Sequence, residues 1–249
     1  MMMMMRRLYF LLMICLLTTT VRGQQATGLN GLIHVPTADM DTVGMARIGA
    51  QFLPHEMVPD AFTLDGEKYN TASNYLSITP FRWIELGYGY TLMKFHKNLN
   101  PKRQTGFYAK DRYFSAKIQL INEDQWWPSI AVGGNDVWGS GEDGKSGSNY
   151  YKNYFVAASK HIDYSGHLFG AHVAYRDWYR DYNHRWNGVV GGITYQPAFY
   201  QPLRAIVEWD GNGVNCGVDC RLYRYFLVQC GLFEGKAFTC GLCFCINLL

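Results

Sequence analysis

Seven histidines (His34, His55, His96, His161, His167, His172 and His184) and seven cysteines are the side chains of this 249-residue chain best suited to proton transfer, nucleophilic attack or metal binding. The sequence has neither the H-E-x-x-H spacing that sets two imidazoles on one zinc ion nor the G-x-S-x-G turn that exposes a nucleophilic serine. His172, with Arg176 or Glu85 directed inward beside it, could form an acid–base group, but a polar network inside a closed sheet accounts for the same residues. We therefore expect no catalytic residue, no metal site and no cofactor. Cys240-Gly241-Leu242-Cys243 has the C-x-x-C spacing, yet strand positions three apart face opposite ways, so the two sulfurs cannot close on one ion. Cys216, Cys220, Cys230 and Cys240 fall in apolar rows, where a thiol acts as a small hydrophobe. A cross-strand disulfide involving Cys243 or Cys245 is left open.

One short stretch could bind sugar. Arg176, Asp177, Trp178, Tyr179, Arg180 and Tyr182 combine aromatic faces, which stack on sugar C–H surfaces, with fixed donors and acceptors for hydroxyls. An aromatic girdle at a membrane interface would use the same residue types.

The elements that must position these residues are strands. From Leu203 onward every second side chain is apolar: Leu203, Ala205, Val207 and Trp209; Val214 to Leu222; Phe226 to Leu232; Phe238 to Leu248. The interleaved rows are polar or small, so each strand has one greasy and one wet face. The period of two returns upstream over 46–53, 72–79, 83–93, 113–121, 129–137, 154–160, 169–176 and 188–195, making about twelve strands. All eight prolines fall between these runs, as expected of residues that cannot donate to a ladder. Tight turns are expected at 79–82 and 234–236, and long flexible loops at 94–104 and 138–149.

A soluble sandwich would show the same alternation. The first residues decide between solvents: Arg6 and Arg7, the apolar run Leu8–Leu17 and Val21-Arg22-Gly23 read as a secretory signal peptide cleaved near Gly23. Arg6, Arg7 and Arg22 lie in residues 1–23, so 23 basic residues less these 3 leaves 20 against 20 acidic ones, and nothing points to nucleic acid as a partner. No later apolar run reaches the roughly 18 to 20 residues of a spanning helix. The reading is an all-β, antiparallel transmembrane β-barrel of about 12 strands in the outer membrane, over 46–249, with outer-membrane lipid as its solvent. Aromatics at strand ends (Trp126, Trp127, Tyr150, Tyr151, Trp178, Tyr179, Tyr182, Trp186, Phe199, Tyr200, Tyr223, Tyr225) would form its interfacial girdles.

Residues 24–45 do not suit a barrel wall, because Gly28, Gly31 and Pro36 break ladders while Leu29, Leu32, Ile33 and Val35 need burial. A periplasmic lead-in and a segment folded into the lumen are both open. The run Thr27-Gly28-Leu29-Asn30-Gly31-Leu32-Ile33-His34-Val35-Pro36-Thr37-Ala38 resembles the opening of the YjbH family of outer-membrane proteins, a G-x-x-G-L-[IM]-x-x-P-T-[AG] pattern ahead of a barrel. The motif set is Gly28, Gly31, Leu32, Ile33, Pro36 and Thr37. The resemblance implies a short, single-barrel form associated with exopolysaccharide or capsule assembly and export, with the polysaccharide and other export proteins as partners. Leu249 departs from the aromatic on which many such barrels end. Two other functions fit the residues: a barrel enzyme modifying lipid or lipopolysaccharide, and a soluble exported glycan-binding sandwich.

Overall fold

The computed structural model describes residues 23–99, 102–137 and 149–249. The expected signal peptide, residues 1–22 in particular, and nearly all of the expected 138–149 loop lie outside them. Among the described residues, twelve antiparallel strands close into a barrel. They are β1 (Met45–Leu53), β4 (Thr71–Phe81), β5 (Ile84–Leu99), β6 (Lys102–Ile121), β7 (Ser129–Asn135), β8 (Asn153–Tyr164), β9 (His167–Trp178), β10 (Gly188–Gln196), β11 (Leu203–Trp209), β12 (Val214–Leu222), β13 (Phe226–Phe233) and β14 (Ala237–Asn247). A two-stranded ribbon, β2 (Thr63–Leu64) with β3 (Glu67–Lys68), lies outside the wall in the connection from β1 to β4. Each strand pairs with its sequence neighbour, and β1 closes the ring on β14 in the register Ile48↔Phe244 and Ala50↔Leu242.

The alternation sorts the faces as its period demands. Leu86, Val207, Val218, Leu242 and Phe244 point outward and are exposed, whereas Glu85, Glu208, Asp219 and Arg221 point inward and are buried. Cys216, Cys220, Cys230 and Cys240 lie in the outward rows, while Cys243 and Cys245 are buried; all six are free thiols. Cys243 Sγ and Cys245 Sγ stand 3.8 Å apart on one inward row.

The two mouths differ. Tyr164 and His167 are joined by a two-residue turn at the mouth where β1 begins and β14 ends, and Trp83, Trp126, Trp127, Phe199 and Tyr223 are exposed around it. The opposite mouth carries the 54–70 and 136–152 connections and a 3₁₀ turn at Asp181–Trp186.

Four expectations are corrected. Residues 94–104 do not form a long loop: β5 and β6 continue their pairing to Leu99↔Lys102, with one irregularity at Met93/Lys94. At 16 and 20 residues these strands exceed the roughly 9 to 11 that a bilayer needs, so their hairpin projects beyond the wall. Pro80 lies inside β4, at a break in the register between Ile78 and Phe81 that removes the need for its missing donor. The 234–236 turn is tight but sits at the long-loop mouth, because β13 runs toward it. Tyr151, Trp178 and Trp186 are not girdle residues; their rings are buried in the lumen.

Candidate functional site

The lumen is occupied. Residues 23–40 are all buried and form a finger that enters at the short-turn mouth and returns to it. The finger closes on itself through isolated bridges Gln24↔Asn30 and Gly31↔Pro36 and a Leu32 N–H to Val35 O bond of 3.0 Å. The motif residues serve this path. Gly28 has φ +98°, and a Cβ there would lie 2.7 Å from Tyr75 Cβ; at Gly31 it would lie 2.5 Å from Gln25 Cγ. Leu32, Ile33, Pro36 and Thr37 are buried against the wall.

The wall is cut back to receive the finger. A Cβ on Gly192 would stand 2.6 Å from Leu32 Cδ1, and Cβ atoms on Gly217 and Gly231 would stand 2.9 and 3.0 Å from Ile33 Cδ1. These glycines sit on inward rows, so the aliphatic side chains fill sockets where wall side chains are missing. The main apolar core of the molecule is therefore inside the barrel, with Leu29, Leu32, Ile33 and Val35 packed among Tyr113, Phe155, Trp178, Trp186, Ile206 and Phe233.

Polar wall residues take up the finger's backbone groups, which have no ladder of their own. The Glu208 carboxylate accepts the N–H groups of Ile33 (3.0 Å), His34 (2.8 Å) and Val35 (3.2 Å), and the Asn215 amide at 2.8 Å. Glu85 accepts Asn30 N–H at 2.8 Å and pairs with Lys117 at 2.9 Å. Lys117 Nζ in turn donates to the carbonyls of Asn30 (2.9 Å) and Asp39 (2.6 Å). Arg204 Nε donates to Asp219 Oδ2 at 2.8 Å, and Arg204 Nη2 also reaches the Gly31 carbonyl at 3.1 Å. A buried polar group costs free energy unless it is bonded, so this network makes a deeply buried irregular backbone tolerable. Asn215 is fully buried, donates to both Glu208 and Asp210 and accepts the Glu234 N–H, so the inward rows are bonded as closely as the finger itself.

The tip of the finger is His34. Its ring lies 6.1 Å from Trp178, 4.9 Å from Trp186 and 5.6 Å from Phe233, and Nδ1 is 3.3 Å from Asp210 Oδ2. Burial, followed by the Arg176 guanidinium, pushes the imidazole down to about 4, so the ring is neutral at neutral pH. Burial opposes ionisation of Asp210, yet the His34 contact and the N–H groups of Gly213 and Asn212 hold it below the usual carboxylate range.

The stretch 176–182 does not form one sugar platform, because the strand period divides it. Arg176 and Trp178 point inward. Arg176 donates to the carbonyls of His34 (2.7 Å), Asp210 (2.9 Å) and Trp186 (3.3 Å) and holds the finger in place. Asp177 and Tyr179 point outward, with Lys152 Nζ 4.8 Å and Arg180 Cζ 5.4 Å from the Tyr179 ring centre. Tyr182 is half-buried beside Tyr150. His172, Glu85 and Arg176 all face inward and are buried but do not form one group: each holds separate partners.

Lys117 and Glu85 offer a direct test of the network. Lys117→Met is expected to lower thermal stability of the folded barrel by about 3 to 5 kcal/mol, because it strands the buried Glu85 charge; adding Glu85→Gln should recover part of the loss. Equal midpoints for the single and double variants in a melting series would show that the pair is not coupled.

Residues 23–168 match the YjbH family, described as "Exopolysaccharide biosynthesis protein YbjH". The "Uncharacterized lipoprotein YjbH" of Escherichia coli K12 is 26% identical over 212 residues, 73% of this chain, and the chain spans 27% of the length of that relative. Among solved structures, outer membrane phospholipase A of Escherichia coli matches with a TM-score of 0.37 at 11% identity, over 84% of this chain and 98% of that one. The Salmonella typhi outer membrane phospholipase dimer with bound calcium gives 0.35 at 11% identity, over 82% and 91%.

Proposed function

Since the chain belongs to the YjbH family of exopolysaccharide biosynthesis proteins, we propose that it is a non-enzymatic outer-membrane barrel that assists the assembly, secretion or surface attachment of an exopolysaccharide. Its outward rows supply the apolar band that lipid requires, and exposed aromatic rings surround the short-turn mouth. One observation carries the choice among roles: the lumen is filled by residues 23–40, so no sugar polymer threads it in this conformation. The barrel then acts at its surfaces rather than as a conduit.

The part best placed to meet a polymer outside is the projecting β5–β6 hairpin. Lys94 Nζ lies 5.2 Å from the Phe107 ring centre, Lys97 Nζ 5.9 Å from that of Tyr108 and Lys110 Nζ 4.8 Å from that of Tyr90. Cations set beside aromatic faces suit an acidic polysaccharide. The lipid-modifying reading finds less support: Ser159 Oγ is 2.9 Å from His172 Nδ1, but it is buried in the lumen and accepts the Ala38 N–H at 3.0 Å, away from the outward face.

Deletion of the gene is expected to lower exported or cell-attached polysaccharide without changing lipid A or phospholipid composition. Complementation with Lys94→Ser, Lys97→Ser and Lys110→Ser together should restore the folded barrel but only part of the polysaccharide. Normal polysaccharide with altered lipid acylation would favour the enzyme instead.

A further inference from the structure

Where the finger leaves the lumen, Asp39 comes against two wall histidines. One candidate ligand atom from each of Asp39, His161 and His172 lies within 4.8 Å of the others. Asp39 Oδ2 is 3.6 Å from His161 Nε2 and 4.0 Å from His172 Nδ1. Four ligands at about 2.0 to 2.1 Å from a tetrahedral zinc ion stand about 3.3 Å apart, so closure shortens these separations by about 1.5 Å at most. We propose that Asp39, His161 and His172 form a site for a borderline divalent metal ion, Zn²⁺ foremost, that clips the finger to β8 and β9.

The surrounding bonds orient both rings for this task. A carboxylate accepts only, so the 2.7 Å contact from His161 Nδ1 to Glu123 Oε2 places the proton on Nδ1 and leaves Nε2, the atom facing Asp39, to bind metal. Glu123 also accepts the His161 backbone N–H at 2.6 Å, which fixes it behind the ring. His172 Nε2 is 3.2 Å from Thr194 Oγ1; with its proton donated there, Nδ1 keeps a lone pair on the side of Asp39. Ser159 Oγ, 2.9 Å from Nδ1, already takes the Ala38 N–H at 3.0 Å, and its own proton occupies that lone pair until metal replaces it.

The charges nearby are matched. Lys160 Nζ lies 3.5 Å from Glu123 Oε1, and Lys117 Nζ, bound to the Asp39 carbonyl, is paired with Glu85. A cavity of about 350 Å³ lined in part by Asp39, Met40, Arg82, Gln119 and Glu123 adjoins the group at the short-turn mouth, giving an entry path and room for a water as fourth ligand. Two imidazoles and one carboxylate suit zinc and its neighbours better than magnesium or calcium, which favour oxygen ligands alone.

The test uses the folded full-length barrel, isolated in detergent and stripped with a chelator. Titration calorimetry with Zn²⁺ is expected to show one ion per barrel. His161→Ala and His172→Ala should each weaken binding by at least tenfold, and Glu123→Gln by about 10- to 100-fold. Cys243→Ser with Cys245→Ser should leave it unchanged. Heat-dependent gel mobility reports whether each variant is folded. Should the histidine variants fail to fold, Co²⁺ added to the wild-type protein decides: visible bands of tetrahedral Co²⁺ without a thiolate charge-transfer band support the site. Failure of the wild-type barrel to take up one ion, a thiolate band, or uptake untouched by the histidine changes would overturn it.

Discussion

Glu208→Ala is expected to release the finger from the lumen. The substitution leaves the buried N–H groups of Ile33, His34 and Val35 without their acceptor, and each such loss costs about 1 to 3 kcal/mol. Even the lower bound, about 3 kcal/mol in total, raises the released fraction more than about a hundredfold. The measurement is labelling of Leu32→Cys by a membrane-impermeant thiol reagent after the native cysteines have been replaced. Labelling should be slow with Glu208 and fast with alanine. Glu208→Gln, which keeps one acceptor oxygen, should fall between them. Slow labelling in all three would mean that the wall glycines and Leu32 and Ile33 hold the finger unaided.

Leu242→Arg should block assembly. Leu242 is 54% exposed on the outer face, midway along β14 between Ala50 and Val228. An arginine at the midplane of a bilayer costs about 2 to 4 kcal/mol. Tyr223→Arg, a change at a still more exposed residue (88%) at the short-turn mouth, should cost about 0 to 1 kcal/mol near the interface. Folded protein in the membrane fraction, read by heat-dependent mobility, separates the two. Equal yields would remove lipid as the solvent of the outward rows.

The wall was legible in the sequence because its signal is local. A period of two needs only neighbours along the chain, and it placed Leu86, Val218 and Cys243 on their faces before any partner strand was known. The projecting β5–β6 hairpin is masked in the sequence because Lys97, Pro101 and Gln104 look like loop residues when polarity alone is read, and because the irregularity at Met93/Lys94 moves the outward Phe95 and Phe107 out of the even-numbered apolar rows of Ile84–Leu92 and Phe114–Leu120. The stretch 176–182 shows the opposite case. Residue types alone group it, while the strand period divides Arg176 and Trp178 from Asp177 and Tyr179. The Asp39, His161 and His172 group was out of reach, because it depends on where the finger turns and on strand register: β8 and β9 set Ser159 opposite His172 and His161 opposite Gly170. A signal existed in that Gly170 leaves space on an inward row between two histidines, where an added Cβ would lie 2.8 Å from His172 Nε2.

The finger also fixes an order of events in time. It precedes every strand of the barrel in the sequence, yet Ile33 is bonded to a residue 175 positions later, Leu32 to one 197 later and Gln24 to one 219 later. Contacts of such separation form slowly, because the intervening chain must be ordered before they return any stabilisation. During folding the apolar finger therefore waits unsatisfied until the last strands arrive, and for that interval its aliphatic side chains are open to misassociation. Closure of β1 on β14 and seating of the finger are then expected as a single late step, with the seam sealing around a core that was made first and completed last.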